Sequence, residues 1–218
     1  MKWSLKHQTQ LHASAQRRHF DTHQCYVVEL LGSPGCGKTS LIRASIPLMG
    51  PCGVVNGEMS SFHDHTDFDP NCKWTMHIDT SNRCHLEARD LHAIPDENLD
   101  RVPFVFVENV GNLVCPTSCP IGAHLRVLVL SVAEGADKLA KYPVAVLAAD
   151  VLLISKTDLL PFVSFDLEQA RRDAQRLNPL ISVLQVNDQD QNLLRPWVDH
   201  IQVRANAYHL SRGLCPWH

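Results

Sequence analysis

The stretch Tyr26-Val-Val-Glu-Leu-Leu31, followed at once by Gly32-Ser33-Pro34-Gly35-Cys36-Gly37-Lys38-Thr39-Ser40, decides the fold. The first part is an apolar run of strand length, and Thr39 to Ile46 has helical patterning. The turn between them has the spacing G-x-x-x-x-G-K-[ST]. Glycines at these positions let backbone N–H groups turn inward around phosphate oxygens, and the helix start adds its partial positive charge. In such a loop the lysine, Lys38, reaches the β and γ phosphates, and the Thr39 hydroxyl meets Mg²⁺. Both flanks are the required ones, which separates this match from a glycine turn beside a solvated lysine. Cys36 reads as a small residue tolerated inside the loop, with a redox role as the competing reading.

Outward from the loop, short apolar runs recur at Gly53–Val55, Phe104–Val107, Leu125–Val132, Val151–Ile154 and Ile181–Val186. Helical patterns over Cys84–Ile94, Phe165–Leu177 and Leu193–Tyr208 separate several of them. Strands alternating with helices predict an α/β fold with a mostly parallel sheet flanked by helices, in the manner of a P-loop NTPase. Residues 1–24 read as a polar helical extension, and 25–218 as the P-loop domain. His7, His12, His19 and His23 are scattered along that extension and read as residues of a solvated packing helix.

Composition narrows the function classes. The chain has 218 residues, a formal net charge of −3 and 44% hydrophobic residues. These values suit one compact unit, and no basic stripe points to nucleic acid. No apolar run has the length of a membrane span, and the first twenty residues lack the apolar core of a secretory signal. The expectation is a cytoplasmic protein, where eight cysteines read as free thiols or metal ligands rather than disulfides.

Two further segments bear on the nucleotide. Ser155-Lys156-Thr157-Asp158 at a strand end approximates N-K-x-D, in which the aspartate accepts from the guanine ring and the lysine stem lies along it. Ser155 replaces the asparagine, and a hydroxyl keeps one loop hydrogen bond where an amide keeps two. Val186–Asp190, where a second base-contacting loop belongs, lacks the usual small residues. For Mg²⁺ the candidates are Glu108, ending the apolar run from Phe104, and Glu58, after the strand and turn at Gly53 to Gly57, with Asp64 a further acid. Each acid alone is equally readable as a solvated loop charge.

Cys84-His85 and Cys115 supply two thiols and one imidazole, a donor set suited to Zn²⁺ or Ni²⁺. Three ligands leave a tetrahedral shell short, and a symmetric dimer sharing the site is one way to complete it. From spacing alone, buried free cysteine remains an equally open reading.

Several motifs together carry a resemblance. They are Cys84-His-Leu-Glu-Ala88, Glu108-Asn-Val-Gly-Asn-Leu-Val-Cys-Pro116, Ser131-Val-Ala-Glu-Gly-Ala-Asp-Lys138 with Lys141-Tyr-Pro143, and Lys156-Thr-Asp-Leu-Leu-Pro161. In these the chain resembles the hydrogenase nickel-incorporation GTPases (the HypB family), relatives of the urease accessory GTPases. The resemblance runs from about His12 onward. It implies a SIMIBI-type G domain that hydrolyses GTP slowly with Lys38, Glu58 and Glu108, and holds Mg²⁺ through Thr39, Glu58 and Glu108. It implies a Ni²⁺ or Zn²⁺ site at Cys84, His85 and Cys115, and a nucleotide-dependent homodimer. The implied partners are a hydrogenase large subunit and other nickel-maturation proteins. Glu58 departs from the family's aspartate, Ser81 from a glycine, and Ser155 from the asparagine. A nucleotide-gated regulatory or scaffold module with little turnover is therefore the second reading, and a small-molecule kinase the third.

Overall fold

The computed structural model describes residues 2–58, 69–81 and 83–214, with side chains described from residue 7 and excepting that of residue 58. Asp64, the carboxylate of Glu58, and the terminal Cys215 and His218 lie outside the described residues. The strands are β1 (Tyr26–Leu31), β2 (Cys52–Glu58), β3 (Cys72–Asp79), β4 (Phe104–Glu108), β5 (Leu125–Ser131), β6 (Val151–Ser155) and β7 (Ser182–Gln185). They form one sheet in the order β3-β2-β4-β1-β5-β6-β7, and every pair is parallel. Parallel pairing needs crossovers that cover both faces, so the central strands are buried and largely apolar: all residues of β1 and β6 are buried, Glu29 among them.

The helices are α1 (Lys2–Thr22), α2 (Lys38–Met49), α3 (Asp96–Leu99), α4 (Cys115–Ser118), α5 (Asp137–Lys141), α6 (Pro143–Ala148), α7 (Leu167–Leu177) and α8 (Gln191–Ser211). On one face α2 and α8 pack Leu41, Ile42, Trp197 and Ile201 against Val28, Leu30 and Phe106. On the other, α5, α6 and α7 cover β5 and β6. Beside them Phe20 of α1 joins Val27, Val55, Leu86 and Leu91. Because every pair is parallel, every strand ends at the same edge of the sheet, where the loops that matter emerge.

Two local expectations fail. The segment Cys84–Ile94 is not one helix. Cys84 and His85 lie in a bend, and only Ala88–Ala93 turns, as a 3₁₀ helix. The reason is capping. Glu87 and Asp90 bond each other's backbone N–H groups in a capping box, which fixes the helix start after Glu87. The Leu86 N–H is taken by Asn109 Oδ1 at 3.0 Å. The second failure is β3, which the apolar runs do not announce. Its residues alternate between half-buried and exposed, as expected of an edge strand with Lys73, His77 and Asp79 among its members.

Candidate nucleotide and metal site

The phosphate loop closes on itself. Gly37 caps α2 with φ of 99°, a left-handed conformation that favours glycine. The Lys38 ammonium donates to the carbonyls of Gly32 (3.2 Å) and Ser33 (3.1 Å), spanning the loop from beneath. Lys38 is buried, so the positive charge is held at the loop rather than in water. The Thr39 hydroxyl reaches both carboxylate oxygens of Glu108, at 2.9 and 2.8 Å. The sequence placed these two residues at one cation, and the structure brings them into contact. Glu58 ends β2 two positions beyond Asn56, which pairs with Glu108 in the sheet.

Ser155 Oγ donates to the Cys36 carbonyl at 2.7 Å. The single hydrogen bond expected of a serine there is made, and it ties the end of β6 to the phosphate loop. Lys156 stands in the left-handed region with φ of 56°. A cleft beside the loop is lined by Gly37, Ser40, Lys156, Val186 and Asp188. The last loop therefore does face this cleft, although its composition gave no such sign. Asp158 sits in the exposed turn after Lys156. The Cys36 thiol is buried, and burial pushes it above the ordinary thiol range. A thiol held protonated is a poor nucleophile, so Cys36 fits the reading as a packing residue.

Cys84, His85 and Cys115 converge, with one donor atom from each within 4.8 Å of the others. The Cys84 sulfur is 3.6 Å from His85 Nδ1, and Glu87 Oε1 lies 3.8 Å from His85 Nε2. Two sulfurs, an imidazole and a carboxylate behind the imidazole fit a Zn²⁺ or Ni²⁺ ion. Cys84 is not at a helix start, so no helix dipole favours its thiolate. Cys119, in the same loop region, is partly buried, and burial raises its thiol.

Asn109 is the residue that sequence reasoning left without a role. It is buried, and its side chain bonds in three directions. Nδ2 donates to Glu29 Oε1 at 2.7 Å. Oδ1 accepts from Leu86 N at 3.0 Å and Val110 N at 2.9 Å. Glu29 in turn holds the Arg126 guanidinium at 2.9 Å, and Arg126 donates to the Pro116 carbonyl at 2.9 Å. One buried network thus fixes the residue after His85 and the residue after Cys115, the two arms of the thiol–imidazole cluster. The signal available in sequence was a glutamate inside an apolar strand, since buried charge requires partners.

The same loop touches the phosphate loop. Gly32 and Asn112 form an antiparallel bridge. A Cβ on Gly111 would stand 2.9 Å from Pro34 Cγ and 3.1 Å from its Cα, so only glycine permits this approach.

A phosphate loop at the carboxyl edge of a parallel sheet, with a threonine and a strand-end glutamate in contact, defines a P-loop nucleotide-binding protein. Comparison with known proteins is more specific. Residues 26–185 match the family described as CobW/HypB/UreG, nucleotide-binding domain, and the chain belongs to that family. It is 37% identical over 195 residues to hydrogenase maturation factor HypB of Azotobacter vinelandii, an alignment covering 88% of this chain and 64% of that one. Against the protein of the same description from Escherichia coli strain K12 the identity is 34% over 199 residues, covering 89% and 69%. The chain therefore spans about two thirds of the length of these relatives. The crystal structure of HypB from Helicobacter pylori in complex with nickel superposes with a TM-score of 0.87 at 28% identity, covering 92% of this chain and 96% of that one. HypB from Archaeoglobus fulgidus gives 0.84 at 27% identity, covering 91% and 99%.

Proposed function

We propose that this chain is a GTP-hydrolysing metallochaperone that binds Ni²⁺ and passes it toward a [NiFe]-hydrogenase during maturation. The observation that carries the proposal is the seam between the two sites. The loop from Glu108 to Cys115 meets the Thr39 hydroxyl at one end and presents a thiol to Cys84 and His85 at the other. The backbone bridge at Gly32 and Asn112 joins the same loop to the phosphate loop. A segment in contact with both ligands can carry the nucleotide state to the metal.

In this reading the residues from Gly32 to Ser40 cradle the phosphates, and Lys38 neutralises charge on the β and γ groups. Lys156 and Asp158 hold the base, with Asp188 at the cleft wall. Thr39, Glu108 and Glu58 hold Mg²⁺, which supplies charge neutralisation at the phosphates. Cys84, His85 and Cys115 hold the transported Ni²⁺, or Zn²⁺ in its place, and a second copy of the chain completes its shell when nucleotide binds. The nickel complex of the Helicobacter pylori relative supports this assignment of cargo. The recipient is a hydrogenase large subunit, reached with other maturation proteins in the cytoplasm; among the described residues no helix is long and apolar enough to cross a membrane.

The test is a Ni²⁺ titration of the full chain with and without a non-hydrolysable GTP analogue, with solution mass measured in both states. Linkage requires that each ligand change the other's affinity by the same factor, here about 1–3 kcal/mol. Identical isotherms would defeat the coupling. Absence of GTP turnover at saturating Mg²⁺ would leave the chain a nucleotide-gated binding module instead.

A further inference from the structure

His19 in the last turn of α1 and His23 in the turn just after it stand four positions apart, and Asp96 at the start of α3 and Asp100 at its C-cap have the same spacing. The two pairs meet. His19 Nε2 lies 3.3 Å and His23 Nε2 3.7 Å from a single atom, Asp96 Oδ1. The rings stand edge to face with centroids 4.9 Å apart. One donor atom from each of the three residues lies within 4.8 Å of the others. Behind this group, His23 Nδ1 is 2.6 Å from Asp100 Oδ1.

The tautomer follows from the donor inventory. An ionised carboxylate only accepts, so His23 Nδ1 carries the hydrogen toward Asp100. In the neutral ring, Nε2 is then a bare lone pair aimed at a carboxylate oxygen and at a second imidazole. Lone pairs so arranged repel unless a cation lies among them. Metal-ligating histidines take this form, with the distal nitrogen donating to a carboxylate that fixes ring and tautomer. The spacing also fits. Metal–ligand bonds of about 2.0–2.1 Å place the donors of a tetrahedral site about 3.4 Å apart.

We propose that His19, His23 and Asp96 form a second metal site that takes one divalent first-row transition ion, Zn²⁺ or Ni²⁺, with Asp100 orienting His23. Two imidazoles and one carboxylate suit these ions, whereas Mg²⁺ and Ca²⁺ select all-oxygen shells. Without a thiolate the site is chemically distinct from the Cys84, His85 and Cys115 cluster. The His19 side chain is 31% exposed and that of Asp96 68%, so water completes the shell and the ion exchanges with solvent. The site stands independently of the nucleotide chemistry.

The test uses the full chain carrying Cys84→Ala and Cys115→Ala, which removes the thiol centre, and Co²⁺ and Zn²⁺ alone as probes. The expected result is one equivalent of Co²⁺ with d–d absorption and no thiolate charge-transfer band, displaced by Zn²⁺. Adding His23→Gln abolishes that equivalent. Adding Asp96→Asn, at an exposed position where folding is not at stake, also abolishes it, and circular dichroism confirms the fold. Asp100→Asn keeps the spectrum but weakens binding by about 10–100-fold. The site is overturned if the cysteine double variant binds no Co²⁺, or if the equivalent persists undiminished in both His23→Gln and Asp96→Asn.

Discussion

The phosphate loop and the thiol–imidazole centre are built on opposite principles. The whole phosphate-loop motif lies between Gly32 and Ser40, and β1 and α2 hold both ends of that run. The thiol–imidazole cluster draws Cys84 and His85 from a bend after β3 and Cys115 from the start of α4. Nothing local holds these together. Asn109, Glu29 and Arg126 do, through buried and half-buried hydrogen bonds from β1, β5 and the residue that follows β4. A contiguous site is specified by short-range sterics, while an assembled site is only as precise as the network behind it.

That contrast can be broken from the nucleotide side with the largest effect. Lys38→Ala removes the loop's buried cation. GTP affinity should fall about 100-fold or more, since charge-assisted bonds contribute about 1.5–3 kcal/mol each. Ni²⁺ binding without nucleotide should be unchanged, because Lys38 belongs to no part of the network around Asn109. Equilibrium titrations of both ligands read the two effects separately. Unchanged GTP affinity would remove the phosphate-loop assignment.

Asn109→Ala attacks the assembled site without touching a ligand. It strands Glu29 Oε1 and the Leu86 N–H in a buried setting. Unsatisfied buried groups cost about 1–3 kcal/mol each, so chemical denaturation should report about 3 kcal/mol of lost stability. Ni²⁺ affinity should drop about 10–100-fold, with GTP affinity far less affected. Equal losses of both ligands would show that the phosphate loop, too, depends on the network.

A third region sharpens the comparison because it serves neither site. His124 accepts from Val27 N at Nδ1, 2.9 Å away, so its Nε2 carries the hydrogen and donates to Asp21 Oδ1 at 3.0 Å. Tyr208 donates to the same Asp21 oxygen at 2.8 Å, and Arg212 lies 3.5 Å from Oδ2. Arg17 donates to the neighbouring Gly122 and Ala123 carbonyls. Burial pushes His124 down to about 4 despite the opposing effect of Asp21. The unfolded chain therefore takes up the proton first, at its ordinary value of about 6.5. Stability is full above that pH and falls as pH drops toward 4, by about 2 kcal/mol between pH 7 and 5. His124→Gln should flatten this slope in urea titrations at the two pH values. An equally steep slope in the variant would mean that another group titrates.

The smallest effect is expected at the seam. Gly111→Ala forces the loop away from Pro34 and should reduce the coupling between nucleotide and Ni²⁺ by about 1 kcal/mol. Each ligand alone should bind nearly as before. The measurement is the Ni²⁺ affinity ratio with and without the GTP analogue. A ratio equal to that of the unsubstituted chain would place the coupling elsewhere.

What the sequence determined by itself was whatever runs contiguously: the β1–loop–α2 unit and the α/β alternation. Backbone sterics over a few residues fix such features, so a short motif contains its own geometry. Family resemblance added the trio of Cys84, His85 and Cys115, which spacing had left open. Only the tertiary structure decided the rest. Glu87 and Asp90 delay the helix start and leave Cys84 in a bend. The half-exposed β3 joins the sheet edge without an apolar run to announce it. Asp188 reaches the cleft from the last loop, and Asn109 ties two distant arms together. His19 and His23 looked scattered because their partner, Asp96, lies more than seventy positions away in the chain. Residues so far apart meet only when the core closes, because hydrophobic packing of α1 and α3 against the sheet brings their polar faces into register.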